Sequence, residues 1–87
     1  MSSLAPRFDP IPSAIKVWFT EDHICLQLTD GREVHTPLDF YPALRGATPE
    51  QRGDFRLIGM GSGIHWEQLD EDLSVEGIVL GRPSARK

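Results

Sequence analysis

Apolar and polar positions alternate through the first half of the chain, which is the pattern of β-strands that have one buried face. Residues 14–19 form the first predicted strand. Its inward positions are Ile15, Val17 and Phe19. Trp18 falls on the opposite face, where either the short helices of the chain cover it or it lies partly exposed at an interface. Cover by the chain itself is the commoner arrangement for so large a side chain.

Two further strands complete a predicted meander. Residues 24–29 alternate in the same way, and residues 32–36 follow directly. Asp30 and Gly31 between them form a favoured two-residue hairpin turn, because both residue types tolerate positive φ. Pro37 ends the ladder, since proline has no amide hydrogen to donate to a neighbouring strand.

Short helices follow, and the sequence marks their ends. Residues 39–44 have the composition of a single helical turn. Thr48 and Pro49 combine an N-cap residue with proline at the first helical position, so a second short helix begins there. Ser74 caps a last helical turn, which Gly81 ends because glycine readily adopts the left-handed conformation after a helix.

The remaining extended segments are residues 55–60 and 64–66, joined by a glycine-rich turn. This order of elements predicts a small α+β domain. Its mostly antiparallel sheet comprises the three-stranded meander plus one or two later strands, with two or three short helices. We expect a single domain over residues 13–83, a flexible leader over residues 1–12 and a basic tail over residues 84–87.

Composition narrows the functional classes. The chain has 87 residues and a formal net charge of −4, and it lacks the clustered basic residues that phosphate contacts need, so direct nucleic-acid binding is not expected. Its single cysteine, Cys25, excludes an intrachain disulfide and a multi-cysteine zinc site. No segment has the pattern of a signal peptide or a membrane span. We therefore expect a cytoplasmic protein with no cofactor and no membrane contact.

The segment with the most chemistry runs from Gly59 to Gly81 and contains a histidine close to several carboxylates. On a strand, His65 and Glu67 point to the same side, and Asp70 follows shortly after. An imidazole with nearby carboxylates is a donor set for a divalent metal and a pair for general acid–base catalysis. One hypothesis is therefore a small metal- or ligand-binding domain or enzyme centred on these three residues.

The same segment also has a structural interpretation, in which no residue is catalytic or binds a metal. His65 then hydrogen-bonds its neighbours, Trp66 anchors the core, and Asp72 helps to cap the turn that follows. The three acids at residues 70–72 face solvent in a bend. We favour this interpretation because convergent carboxylates with perturbed pKa values are the rarer arrangement. The residues with a candidate role in this motif or in an interaction are Trp18, His65, Trp66, Asp70, Asp72 and Ser74.

Three motifs spread along the chain carry a family resemblance. They are the sequence TDGR at residues 29–32, the sequence ATPEQR at residues 47–52, and the segment from His-Trp to Glu-Gly at residues 65–77. Together they resemble a bacterial family of unknown function, the domain-of-unknown-function family 2442. The resemblance covers about residues 15–83.

This resemblance implies a small α+β domain and supplies no catalytic residues to transfer. Some longer members carry a helix-turn-helix after this domain, and we expect the present chain to lack that DNA-reading part. Other members are encoded beside small proteins of another uncharacterised family, in arrangements that resemble toxin–antitoxin pairs. An acidic protein of this size suits the antitoxin position in such a pair.

We therefore expect a non-enzymatic protein-interaction or regulatory module, an antitoxin-like partner of a small, basic, co-encoded protein. Trp18 is an outward aromatic side chain of the kind that anchors protein interfaces. Two alternatives stay open. One is the metal or ligand site centred on His65, and the other is self-association through an exposed sheet edge, which gives a homodimer.

Overall fold

The computed structural model describes residues 11–84, which form two three-stranded antiparallel sheets and three short α-helices. The predicted small α+β domain is confirmed. Along the chain the elements are β1 (Ala14–Phe19), β2 (His23–Leu28), β3 (Glu33–Pro37), α1 (Pro42–Arg45), α2 (Pro49–Gly53), β4 (Arg56–Ile58), β5 (Gly63–Trp66), β6 (Glu71–Ser74) and α3 (Val75–Val79). Single 3₁₀ turns, Leu38–Phe40 and Gly59–Gly61, precede α1 and β5.

The two ends of the chain were given their own predicted roles. The predicted leader, apart from Ile11 and Pro12, and the predicted tail, apart from Ser84, lie outside the described residues. Between these limits, no helix is long and apolar enough to cross a membrane.

The first sheet is the predicted meander, in the order β1-β2-β3. Its central strand carries the core of this half of the domain, because Ile24, Leu26 and Leu28 are fully buried. Cys25 points to the other face of the sheet and is fully buried as well.

A β-bulge in β1 changes which side chains face the core. From Ala14 to Lys16 the chain advances two residues while its register on β2 advances by only one. Ile15 is the extra residue and is 57% exposed, so the prediction that it faces inward is wrong. The predicted alternation holds only beyond the bulge, where Val17 and Phe19 pack against the core.

The hairpin between β2 and β3 has a three-residue loop rather than the predicted two-residue turn. The amide of Gly31 donates to the carbonyl of Leu28 at 2.9 Å, and the amide of Leu28 donates to the carbonyl of Arg32 at 2.8 Å. Within this loop Gly31 alone has positive φ, +94°. A turn followed by a glycine in this conformation is another common way to close a hairpin, so the hairpin formed although its turn type differed.

The later strands form a separate sheet in the order β4-β5-β6, so there are three of them, where one or two in the same sheet as the meander were predicted. Part of the predicted acidic bend is in fact β6, which pairs with β5. Because successive strand residues alternate between faces, Glu71 and Leu73 point inward while Asp72 points outward. Glu71 is 1% exposed, so the prediction that all three acids face solvent is wrong for this residue.

The predicted helix starts are confirmed. Thr48 Oγ1 accepts from the amide of Gln51 at 3.1 Å, and the Gln51 side chain accepts from the amide of Thr48 at 3.0 Å, which is a capping box. Ser74 Oγ accepts from the amide of Gly77 at 2.9 Å and so caps α3. Both helices are held at their first turn by the residues that the sequence singled out.

Candidate functional site

His65 lies on the solvent side of the second sheet, between two carboxylates. Its Nδ1 lies 2.5 Å from Oδ1 of Asp72, and its Nε2 lies 3.0 Å from Oε1 of Glu67. A guanidinium nitrogen of Arg56 lies 3.8 Å from the same Glu67 oxygen. These four side chains form a row of alternating charge across the sheet, which we call the His65 row.

Strand pairing explains why these residues meet. Arg56 on β4 is directly opposite His65 on β5, and His65 is directly opposite Asp72 on β6. Glu67 follows His65 by two positions and so lies on the same side, as predicted. The opposite charges of His65 and Asp72 stabilise the pairing of β5 with β6, whereas Arg56 and protonated His65 have the same sign and are bridged by Glu67.

The hydrogen bonds that His65 donates to Asp72 and, to a smaller extent, to Glu67 raise its pKa above the ordinary 6.5. The protonated ring donates from both nitrogens, one to each carboxylate. In that state it offers no lone pair to a metal ion and no nitrogen to accept a proton from a substrate. The geometry therefore supports a structural role for His65 more than a catalytic one.

The structure changes the roles that the sequence suggested for Asp70 and Asp72. The hypothetical metal site used Asp70, whereas the carboxylate that bonds to His65 belongs to Asp72. The structural interpretation gave Asp72 a part in capping the last helix, but the bond at that cap comes from Ser74. Among residues 11–84, no group of three or more His, Cys, Asp and Glu side chains is placed to hold a metal ion.

Trp18 is half-buried on the outer face of the first sheet. Its ring meets the ring of His35 edge-on, with centroids 6.0 Å apart and planes at 85°. Lys16 Nζ lies 5.6 Å from the centre of the indole. Partial cover therefore comes from neighbouring strand residues, and part of the ring stays accessible.

Cys25 lies between these two rings, because it is directly opposite Trp18 on β1 and His35 on β3. Burial and, next, the charge of Glu33 raise the pKa of the Cys25 thiol. The thiolate is the nucleophilic form of cysteine, so a thiol that is held protonated is unreactive. We assign Cys25 a packing role.

A groove of about 620 Å³ opens beside Trp18, between the edge of the first sheet and α2. We call it the edge groove. Its volume is typical of ligand sites. The strand wall is formed by residues 17–21 and the helix wall by Pro49, Arg52, Gly53 and Phe55. The Phe55 ring lies 6.5 Å from that of Phe19 and 6.1 Å from that of Trp66, so the groove is continuous with the core.

A second, smaller cavity of about 220 Å³ lies beside α3. Two of the candidate residues, Asp72 and Ser74, line it, together with the buried Tyr41. Burial raises the pKa of the Tyr41 hydroxyl, which therefore stays neutral. Asp72 already bonds to His65 and Ser74 already caps α3, so both residues have structural roles at the rim of this cavity.

The helix wall of the edge groove was missed in the sequence. No residue of α2 is buried, so its pattern carries no apolar stripe that indicates where it packs. Arg52 holds it in place instead, donating from Nε to the carbonyl of Leu44 at 2.8 Å and from Nη2 to that of Arg45 at 3.1 Å. The only sequence signal was Phe55, an aromatic residue directly after the helix.

The fold places the protein in the class of small α+β domains. Within this class the chain belongs to the family described as "Protein of unknown function (DUF2442)", whose sequence profile matches residues 14–84. The resemblance inferred from the three motifs is thereby confirmed.

Two solved structures are similar to this chain. The first is the crystal structure of a protein of unknown function from Rhodospirillum rubrum ATCC 11170, with a TM-score of 0.77 and 29% identity, over 88% of this chain and 95% of that chain. The second is the solution NMR structure of an uncharacterized protein from Chromobacterium violaceum, with a TM-score of 0.71 and 32% identity, over 86% of this chain and 71% of that chain. No curated protein matches. These relatives share the fold and bring no assigned activity with them.

Proposed function

We propose that this domain is a non-enzymatic protein-interaction module, the antitoxin-like regulatory partner of a small, basic, co-encoded protein. The observation that carries this proposal is the edge groove, in which a partly accessible tryptophan lies between a sheet edge and the helix wall. Aromatic side chains beside such depressions are the usual anchors of protein interfaces, because they bury a large area and lose little conformational entropy.

The charge of the protein supports a basic partner. The formal net charge is −4, and a surface of one sign attracts a partner of the other sign and speeds their encounter. In the toxin–antitoxin arrangement implied by the family resemblance, an acidic protein of this size suits the antitoxin position.

The surroundings of His65 and Cys25 support a non-enzymatic role. His65 has a carboxylate at each ring nitrogen. Cys25 is fully buried, and its pKa is raised. Neither is presented to a substrate, whereas Trp18 at the edge groove is accessible.

Affinity purification of the tagged protein from cells of its own source, with mass spectrometry of what co-purifies, tests this proposal. We expect one small basic protein in near-equal amount, which binds again when both are purified. The Trp18→Ala variant should then weaken binding at least about tenfold, since truncating an anchor residue has large effects. Met60→Ala is the matched control, because Met60 is 96% exposed and is not part of the edge groove. Recovery of the tagged chain alone, or equal effects of the two variants, would contradict the proposal.

A further inference from the structure

The backbone of β1 has a side that is not used in the first sheet. The amide of Thr20 donates to the carbonyl of His23 at 3.0 Å, which closes the ladder between β1 and β2. In an antiparallel pair, alternate residues direct both backbone groups at the neighbouring strand. The backbone N–H and C=O groups of Trp18 and Thr20 therefore point toward β2, whereas those of Val17 and Phe19 point away from it.

This outward edge is covered at its beginning and open further along. No strand within the described part of the chain pairs with this side of β1. The turn Gly59–Gly61 approaches it at Ala14, where a Cβ atom on Gly61 would lie 2.6 Å from the carbonyl oxygen. Residues 17–21, which form the strand wall of the edge groove, carry the open part. An open edge beside a groove is the arrangement that accepts an added strand.

We propose that the edge groove binds an extended, basic peptide segment of a partner protein, which pairs with Val17 and Phe19 as an additional strand of the first sheet. This inference rests on the proposed interaction function. It adds the binding site, the backbone mode of binding and the chemistry of the segment that is recognised.

The two walls of the groove favour a single peptide strand over a second copy of this chain. Neighbouring strands lie about 4.8 Å apart, so a strand added to β1 occupies the space between β1 and α2. In a second copy, β1 carries its own β2 on its other side. That β2 would have to occupy the position of α2. A lone extended segment brings no second strand that would have to be placed there.

The charges at the rim favour lysine or arginine in the bound segment. Glu21 ends the strand wall and Glu50 lies in the first turn of α2, and both are exposed. No cation within residues 11–84 forms an ion pair with either of them. The cation of the groove itself, Arg52, directs its guanidinium at the carbonyls of Leu44 and Arg45. These two acids at the rim of the groove attract basic side chains at a low cost in desolvation.

The side chains of the groove require alternation in the segment. Successive residues of an added strand point to opposite faces of the sheet. One set of positions contacts Trp18 on the outer face, and the other faces Phe19 and Phe55 on the inner side. Apolar residues at alternate positions, with basic residues between or beside them, meet both requirements.

Selection from a displayed library of short linear peptides on the intact protein tests this proposal. We expect enrichment of lysine- or arginine-containing sequences with alternating apolar residues. The decisive comparison is Val17→Pro against Val17→Ala. Both remove the branched valine side chain, but only proline also removes the outward N–H, and an edge strand tolerates proline at such a position. The selected peptides should bind Val17→Ala and lose at least about tenfold in affinity for Val17→Pro. Reversing Glu21 and Glu50 to lysine should weaken binding about three- to tenfold at low salt.

A second measurement changes the peptide and leaves the protein unaltered, so its result does not depend on whether a variant folds. N-methylation of the selected peptide removes its amide hydrogens one at a time. If the peptide is an added strand, methylation at alternate positions abolishes binding and methylation between them does not. Equal tolerance at all positions would overturn the proposal.

The remaining outcomes separate this inference from the proposed function. If peptides or the purified partner bind wild type and Val17→Pro equally, the groove is not the site, and the interaction function stands. Enrichment of no peptide overturns the added-strand inference, while the affinity purification judges the interaction function independently. A concentration-dependent dimer that Val17→Pro abolishes would assign the edge to a second copy and overturn the peptide as its occupant.

Discussion

Trp66 donates a hydrogen bond from Nε1 to the carbonyl oxygen of Arg52 at 2.9 Å, which joins the core of the second sheet to α2. This helix buries no residue of its own. Its position depends on this bond, on the Thr48 capping box and on the guanidinium bonds of Arg52. The helix wall of the edge groove is thus held by polar bonds, so breaking one of them should change the groove before it unfolds the domain.

Trp66→Phe should therefore destabilise the protein and loosen α2. It leaves the Arg52 carbonyl without its donor, which costs about 1–3 kcal/mol, and a cavity adds to this because Trp66 is fully buried. Denaturant unfolding measures the loss, and amide exchange in α2 measures the loosening. Trp18→Phe is the control, since Trp18 is only half-buried, and it should have the smaller effect. Unchanged exchange in α2 of Trp66→Phe would contradict the role given to this bond.

Gly61 and Gly31 test the close approach between the second sheet and β1. Both have positive φ, 89° and 94°, so alanine at either position introduces strain of about 1–3 kcal/mol. Only at Gly61 does the added Cβ atom also meet backbone, 2.6 Å from the Ala14 carbonyl oxygen, whereas nothing lies within 4 Å at Gly31. Gly61→Ala should therefore lower the free energy of unfolding more than Gly31→Ala does. Equal losses in denaturant unfolding would show that the contact at Ala14 is loose.

Ser74 should act through its hydroxyl at the start of α3. Replacing an N-cap serine by alanine lowers the free energy of unfolding by about 1 kcal/mol. Replacement by glycine lowers it by only roughly a few tenths of a kcal/mol, because glycine suits the cap conformation. We expect this order for Ser74→Ala and Ser74→Gly in thermal or denaturant unfolding. The opposite order would contradict a capping role.

The His65 row predicts a pH dependence of stability. The pKa of His65 is raised on folding by Asp72 and Glu67, so the folded state binds this proton more tightly than the unfolded chain does. The stabilisation is fully present below the unfolded pKa of about 6.5 and is lost as pH rises through the higher folded pKa.

His65→Gln isolates this contribution, because glutamine does not titrate. The difference in unfolding free energy between wild type and variant should favour wild type near about pH 6 and shrink toward about pH 9. The other histidines are present in both proteins, so their contributions cancel. A difference that does not change with pH would show that the row adds no charge-dependent stability.

Local patterns predicted most of the fold. Alternation located the strands of the meander, and Thr48 with Pro49, like Ser74, located helix starts, because these signals depend on neighbouring residues only. Ile15 was placed on the wrong face because a bulge is set by the pairing with β2, which alternation within one strand does not reveal. The pattern at residues 70–72 predicts a bend, whereas Glu71 and Asp72 form a strand through their pairing with β5.

In the candidate sites, too, features set by neighbouring residues were predictable and features set by contacts between distant segments were not. The sequence placed His65 and Glu67 on one side of a strand, and the structure agrees. Asp72 is the second hydrogen-bond partner of His65 because the register of β5 and β6 places the two residues opposite each other. Their spacing along the chain does not predict this register. The edge groove lies between β1 and α2, which is about thirty residues later in the chain. Because α2 has no apolar stripe, its sequence does not indicate that it packs there. Tertiary contacts between segments without a buried face stay invisible to sequence reasoning.

Amide hydrogen exchange along β1, measured by NMR in the free protein and in complex with the purified partner, tests the central claim most directly. In the free protein the amides of Val17 and Phe19 should exchange fast, while that of Trp18, which faces β2, is protected. In the complex, Val17 and Phe19 should become protected as well. If they stay fast while another surface becomes protected, the partner does not bind as a strand at this edge.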